Sequence, residues 1–202
     1  MPKSIPPVFE EILQHAILPD LDRGRKNFDR PHTEAVVFWM KYILNNTEND
    51  LDPYVMIPAA YAHDWGYIGL FDGFNSDDPK EIAKQKLSHM DRGAEKVKHL
   101  LNSSCSQFVN SQQINETAHL VWIHDKVDSL KGVDEISIME ADTLGMIDVD
   151  RVKPTFSKAD NERFVNKEVI NWRLPTFIHP EIRKIGLILA HKRLEYGNNF
   201  LV

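Results

Sequence analysis

Five stretches of this chain each set one polar residue into an otherwise apolar helical stripe. His32 leads Val36, Met40 and Ile43. His63 shares a face with Ala59, Ala60 and Tyr67. His89 leads Gly93, Val97 and Leu100, His124 lies between Leu120 and Val127, and Asp142 joins Ile138, Gly145 and Val149. Intervals of three, four and seven residues are those of a helix that buries one side. An imidazole or carboxylate on such a side is costly unless it is paired, hydrogen-bonded or bound to a metal. Separate core hydrogen bonds would need a separate account for each stripe, whereas one shared metal cluster accounts for all of them. The pattern predicts an all-α fold, an irregular single-domain bundle whose helices converge on one polar point.

The rest of the chain fits that frame. Helical spacing runs over about 8–18, from Pro31 to about Leu44, from Asp52 or Pro53 to Trp65, and over about 79–101, 107–127 and 134–148. Pro58 implies either a kink or a later start for the third of these. A break near Ser88 is open. Residues 20–31 read as a polar loop. Residues 66–79, with three glycines among Asp and Asn, read as a surface loop beside a site. Two further helices, within about 161–197, read as packing elements that also offer a homodimer surface. The whole of 1–202 is expected to be one domain, with its polar centre in about 28–150.

Composition excludes several alternatives. With 42% hydrophobic residues the chain is not disordered. A lone cysteine, Cys105, rules out a disulfide framework and any thiolate-rich zinc or iron–sulfur site, but not metals held by His and Asp. A net charge of -6 argues against a nucleic-acid polymer as partner. Apolar runs end well before 18 residues, and the first residues lack the apolar segment of a leader, so no membrane partner and a cytoplasmic location are expected.

The sharpest local motif is Ala59-Ala-Tyr-Ala-His63-Asp64-Trp-Gly, a small apolar run ending in two adjacent metal-capable side chains. Together with His32 before it and Asp142 far after it, this doublet resembles the signature of the HD-domain superfamily of metal-dependent phosphohydrolases. His89-Met-Asp-Arg-Gly-Ala, Val121-Trp-Ile-His124 and Glu140-Ala-Asp142-Thr-Leu-Gly are similar to further family segments, in the same order. The chain looks most like the small stand-alone members. The resemblance implies that His32, His63, Asp64 and Asp142 bind one divalent metal. His89 and His124 would then either hold a second ion or act on substrate phosphate. One departure is Trp65-Gly66-Tyr67, where many relatives carry an aliphatic residue, Gly and Lys. If that Lys acts in catalysis or holds the substrate phosphate, this chain must supply a substitute cation or do something different. Lys80, Lys84, Lys86, Arg92 and Lys96 follow in sequence, with Arg92 and Lys84 the candidates for phosphate.

The implied function is hydrolysis of a small phosphate ester, with nucleotides and nucleotide-like compounds as candidates. One or two ions are expected, and a His-rich ligand set favours Mn, Fe, Co, Ni or Zn over Mg. Such an ion would activate water and stabilise phosphoryl charge. Asp64 would bridge two ions or orient the water, and His89 or His124 could protonate the leaving oxygen. Asp125 is expected mostly to face outward. His119 points about 140° from His124 on one helix. His15, His99, His179 and His191 fall outside the pattern. Two other classes stay open: a di-iron oxygenase of the HD type, and a non-catalytic ligand-sensing or partner-binding module.

Overall fold

The structure, a computed structural model, describes residues 3–25, 27–48, 50–70 and 79–201, with backbone alone at 79–83, 85 and 86. Among the described residues there is no strand, so the all-α expectation holds. Helix α1 (Pro7–Leu21) buries Phe9, Leu13, Ile17 and Leu21 as a single i, i+4 stripe. Helix α2 (Asp29–Asn46) starts two residues before Pro31. Proline is tolerated there because the first amides of a helix have no carbonyl to reach.

Helix α3 (Pro53–Ala62) is the centre of the molecule. Asp52 caps it by accepting the Tyr54 amide at 2.8 Å. It begins at Pro53 and carries Pro58 in its interior, and every residue from Val55 to Ala62 is buried. A helix apolar all round belongs inside a bundle, and surrounding packing offsets the proline's lost hydrogen bond. A short 3₁₀ turn, Trp65–Tyr67, follows the His63-Asp64 doublet. The expected loop after it falls largely on 71–78, outside the described residues.

Helix α4 (Pro79–Ser104) runs unbroken past Ser88. Helix α5 (Ser111–Ile123) opens with a capping box of Asn110 and Gln113. Helix α6 (Val133–Ile147) packs along α2, and at Gly145 a Cβ would sit 2.6 Å from Val36 Cγ2 and 3.0 Å from the Val36 amide nitrogen. This close approach brings His32 and Asp142 together, since each lies about one turn from that crossing.

The tail is less regular than its spacing suggests. Helix α7 (Lys158–Arg163) passes directly into a π-helix, Phe164–Arg173, then a single turn, α8 (Leu174–Thr176), and the long α9 (Pro180–Phe200). Buried Glu140 of α6 accepts the amides of Ile178 and His179 at 2.7 and 3.1 Å and the His179 ring at 2.6 Å. That one carboxylate anchors the chain just ahead of α9, where the positive end of the helix dipole favours negative charge. No helix among the described residues is long and apolar enough to cross a membrane.

Candidate metal centre

Two trios of buried His and Asp side chains that could hold a metal ion lie side by side. The first is His32 from α2, His63 at the end of α3 and Asp142 from α6. His32 Nε2 lies 3.1 Å from His63 Nε2 and 3.1 Å from Asp142 Oδ1, and His63 Nε2 lies 3.7 Å from that oxygen. The second trio is Asp64, His89 from α4 and His124 at the end of α5. His89 Nε2 and His124 Nε2 are 3.4 Å apart, and each is 3.6 Å from Asp64 Oδ1.

Asp64 joins the two. Its other oxygen, Oδ2, is 3.7 Å from His32 Nε2 and 3.6 Å from His63 Nε2. One oxygen faces each group, as in a bridging carboxylate. Ligands held about 2.1 Å from an ion stand about 3.0 Å apart in an octahedron and about 3.4 Å apart in a tetrahedron. The three shortest spacings, 3.1, 3.1 and 3.4 Å, fall within that range, and the spacings of 3.6–3.7 Å exceed it by a few tenths of an ångström.

The backbone selects the ring face that each ligand presents. His63 Nδ1 is 2.9 Å from the Ala60 carbonyl and His124 Nδ1 is 2.8 Å from the Val121 carbonyl. Each Nδ1–H therefore donates to a carbonyl, leaving Nε2 turned to the centre as a ligand. Buried His32 Nδ1 has no partner among the described residues, so that ring is held by what its Nε2 faces.

Electrostatics favour a cation at this point. Burial opposes ionisation of Asp64, but His63, His124, His32 and His89 hold it well below the usual carboxylate range. Burial likewise opposes ionisation of Asp142, outweighed by His32 and Arg173, which hold it low. For His124 burial pushes down, yet Asp64, Asp125 and Asp142 carry the imidazole up to about 9. His63 is pushed down, chiefly by burial. Two ionised carboxylates in a buried His cluster attract positive charge, and a divalent ion supplies it without burying extra protons.

Several residues lie elsewhere than the sequence suggested. Asp125, expected mostly to face outward but within reach of the rim, is a third exposed, turns to Arg173 at 2.6 Å and lines the cavity above the centre. Arg92 does not line that cavity: its Nη2 donates to the Ile68 carbonyl at 3.0 Å. Lys84 is exposed on α4, and Lys96 is taken up by Asp20 and the Trp65 carbonyl. Lys80 and Lys86 have side chains outside the described residues. His119 meets Glu135 at 2.7 Å, away from the centre, while His15, His99 and His191 are exposed.

Two arginines were missed. Arg173, buried at the end of the π-helix, donates from Nη1 to Asp142 Oδ2 at 2.9 Å and from Nη2 to Asp125 Oδ1 at 2.6 Å. It braces the oxygen of Asp142 that faces away from the other ligands. A signal existed: Val165, Val169 and Arg173 repeat at four-residue steps, so Arg173 is one more polar residue on an apolar stripe. Arg25, in the loop before α2, borders the same cavity, and nothing in the loop's spacing points to it.

The cavity is small, about 160 Å³, with Phe28, Tyr67, Phe156 and Phe164 in its walls. A roomier one of about 480 Å³ lies elsewhere, among Glu48, Asp50, Asp52, Glu116 and Asp134, and contains no imidazole or cation. The chemistry therefore points to the smaller. The chain is a helical protein with two His/Asp clusters able to bind metal. Compared with known proteins, it matches no family model, no curated protein and no solved structure.

Proposed function

We propose that the chain is a metal-dependent phosphohydrolase of the HD-domain type, acting on a small phosphate ester. The observation that carries this reading is Asp64, which offers one oxygen to each of two His-containing clusters. His32, His63 and Asp142 would hold one ion, His89 and His124 a second, with Asp64 shared. When bound, such a pair lowers the pKa of water and offsets charge on phosphoryl oxygens. Arg173 keeps Asp142 ionised and fixes its rotamer, while half-buried Asp125 holds the other side of the guanidinium. Phe28, Tyr67 and Phe156 restrict water around the centre, and the exposed Phe156 ring in the cavity wall is open to an organic leaving group such as that of a nucleotide or nucleotide-like ester.

The first test is elemental analysis of protein purified without added metal or chelator, beside Asp64→Ala. One to two equivalents of transition metal in the wild type, lost in the variant, and turnover in a phosphomonoester panel are expected. No metal in the wild type, even after reconstitution with Mn, Fe, Co, Ni and Zn, would remove the reading. Iron alone, with oxygen consumed and no phosphate released, would assign the oxygenase class instead. Chelation should also lower stability. Loss of a ligand present at a hundred times its Kd removes about 2.7 kcal/mol, or roughly 5–10 °C in Tm for a chain of this size. An EDTA-treated sample melting with the untreated one would show that the clusters hold nothing.

A further inference from the structure

The loop between α1 and α2 is built around one side chain. Asp29, the first residue of α2, is buried with 2% of its surface exposed, a costly place for a carboxylate. Both its oxygens are occupied by Arg25. Oδ2 accepts the Arg25 amide at 2.6 Å, and Oδ1 accepts Nε at 2.7 Å and Nη2 at 2.6 Å. Gly24 has no room for a Cβ, which would overlap Asp29 Oδ2 and lie 2.7 Å from Ile68 Cδ1. Asn27 takes a left-handed φ of 61°, which non-glycine residues seldom adopt. The loop thus accepts a buried charge and an unusual backbone to hold Arg25 in one position.

That position is over the metal centre. The guanidinium carbon lies 4.4 Å above the Phe28 ring and 5.4 Å from the Tyr67 ring. Tyr67 in turn stacks on His89 at 3.9 Å. Arg25 Nη2 is 3.9 Å from Asp64 Oδ2, the shared carboxylate. The side chain is 56% exposed, so its outer edge meets solvent at the cavity mouth. Nη1 has no hydrogen-bond partner among the described residues. Among the described residues the other cations near the centre are committed: Arg173 to two carboxylates, Arg92 to Ile68, Lys96 to Trp65 and Asp20.

We infer that Arg25 binds the phosphoryl group of the substrate at this centre, with Asp29 as its positioning residue. The inference rests on the phosphohydrolase reading. A fork tethered by Nε and Nη2 and flanked by rings presents its remaining N–H groups without losing much freedom on binding. The same stack would discriminate against uncharged analogues, because charge-assisted bonds to phosphate oxygens are the strong ones.

The test uses protein as purified, as wild type, Arg25→Met and Arg25→Lys. Metal content is measured, inorganic phosphate is titrated by calorimetry, and kcat and KM are measured on p-nitrophenyl phosphate. Arg25→Met strands the buried Asp29 carboxylate and is expected to melt below wild type, but Arg25 supplies none of the atoms that would hold the ions, so the folded variant is expected to keep its metal, and Arg25→Lys to recover stability. Its phosphate affinity should fall about tenfold to a hundredfold, with KM rising in step. Arg25→Lys should recover part of the affinity as a point charge without the fork. Arg25→Met binding phosphate within twofold of wild type, or losing metal, overturns the inference and leaves the phosphohydrolase reading standing. Metal-loaded wild type that neither binds phosphate nor releases it from any ester overturns that reading, and the inference with it.

Discussion

Gly66→Ala is expected to be the most damaging single methyl in the molecule. The added Cβ would overlap the His89 carbonyl oxygen and lie 2.7 Å from the Gly93 amide nitrogen. Both are backbone atoms of α4, so no rotamer change relieves the clash. The 3₁₀ turn would have to back away from α4. Overpacking of this kind costs about 1–3 kcal/mol where side chains can adjust, and more where only backbone can. We expect a loss of at least about 4 kcal/mol, or roughly 8 °C or more in Tm. The displacement also separates Asp64 from His89, so the second cluster should lose its ion before the first. Gly93→Ala is the control: its Cβ meets the Val121 Cγ1 methyl at 3.0 Å, which can shift, and a milder loss is expected. Thermal melts with metal analysis decide the matter. Gly66→Ala melting within 2 °C of wild type would show that the turn does not pin the two clusters together.

Arg173→Met is the second large effect. Wild-type Arg173 neutralises Asp142 and Asp125 from a site with only 9% of its side chain exposed. The substitution keeps much of the side-chain volume but leaves Asp142 buried without its counter-charge. Removing one partner of a buried pair costs about 3–5 kcal/mol. Loss of a group that orients a ligand typically costs 10–100-fold in metal affinity. Both effects should appear together, in a denaturant melt and in a metal competition titration. Arg173→Lys should rescue little, because a single ammonium cannot span two carboxylates. A variant as stable as wild type and equally tight for metal would mean that Asp142 is held by α2 and α6 alone.

The helices and most of the centre were legible because both depend on a local period. His32, His89, His124 and Asp142 each stood out as the polar exception on an apolar stripe, and the fold turns all four inward. Less legible was how they divide. Which oxygen of Asp64 faces which histidines depends on the 3₁₀ turn against α4, a contact between backbones that leaves no periodic trace. Arg25 and Asp29 were hidden for a related reason: a loop shaped by Gly24 and Asn27 has no repeat to read. Arg173 obeyed the stripe rule but lay in a tail read as packing, and its π-helix displaced the expected helix boundaries. Pro31 marked the start of α2 two residues late, because the first amides of a helix have no carbonyl to reach, and of the two readings Pro58 left open α3 does not take the later start.

The order in which the ligands occur along the chain bears on how the centre is first made. Asp64, His89 and His124 all precede Asp142 in sequence, and Arg173 comes later still. On a ribosome adding about 5–20 residues per second, His124 is therefore made about 1–4 s before Asp142. Emergence from the ribosome follows the same order, so the α3, α4 and α5 portion can close around its three candidate ligands while α6 is still enclosed. Helix and turn contacts form in microseconds, far inside that interval. The shared carboxylate thus has one set of partners complete first, and the nascent chain has the chance to take up an ion from the cell's pool before Asp142 joins His32 and His63. Which metal is present at that moment is a matter of supply during translation as much as of affinity in the finished protein.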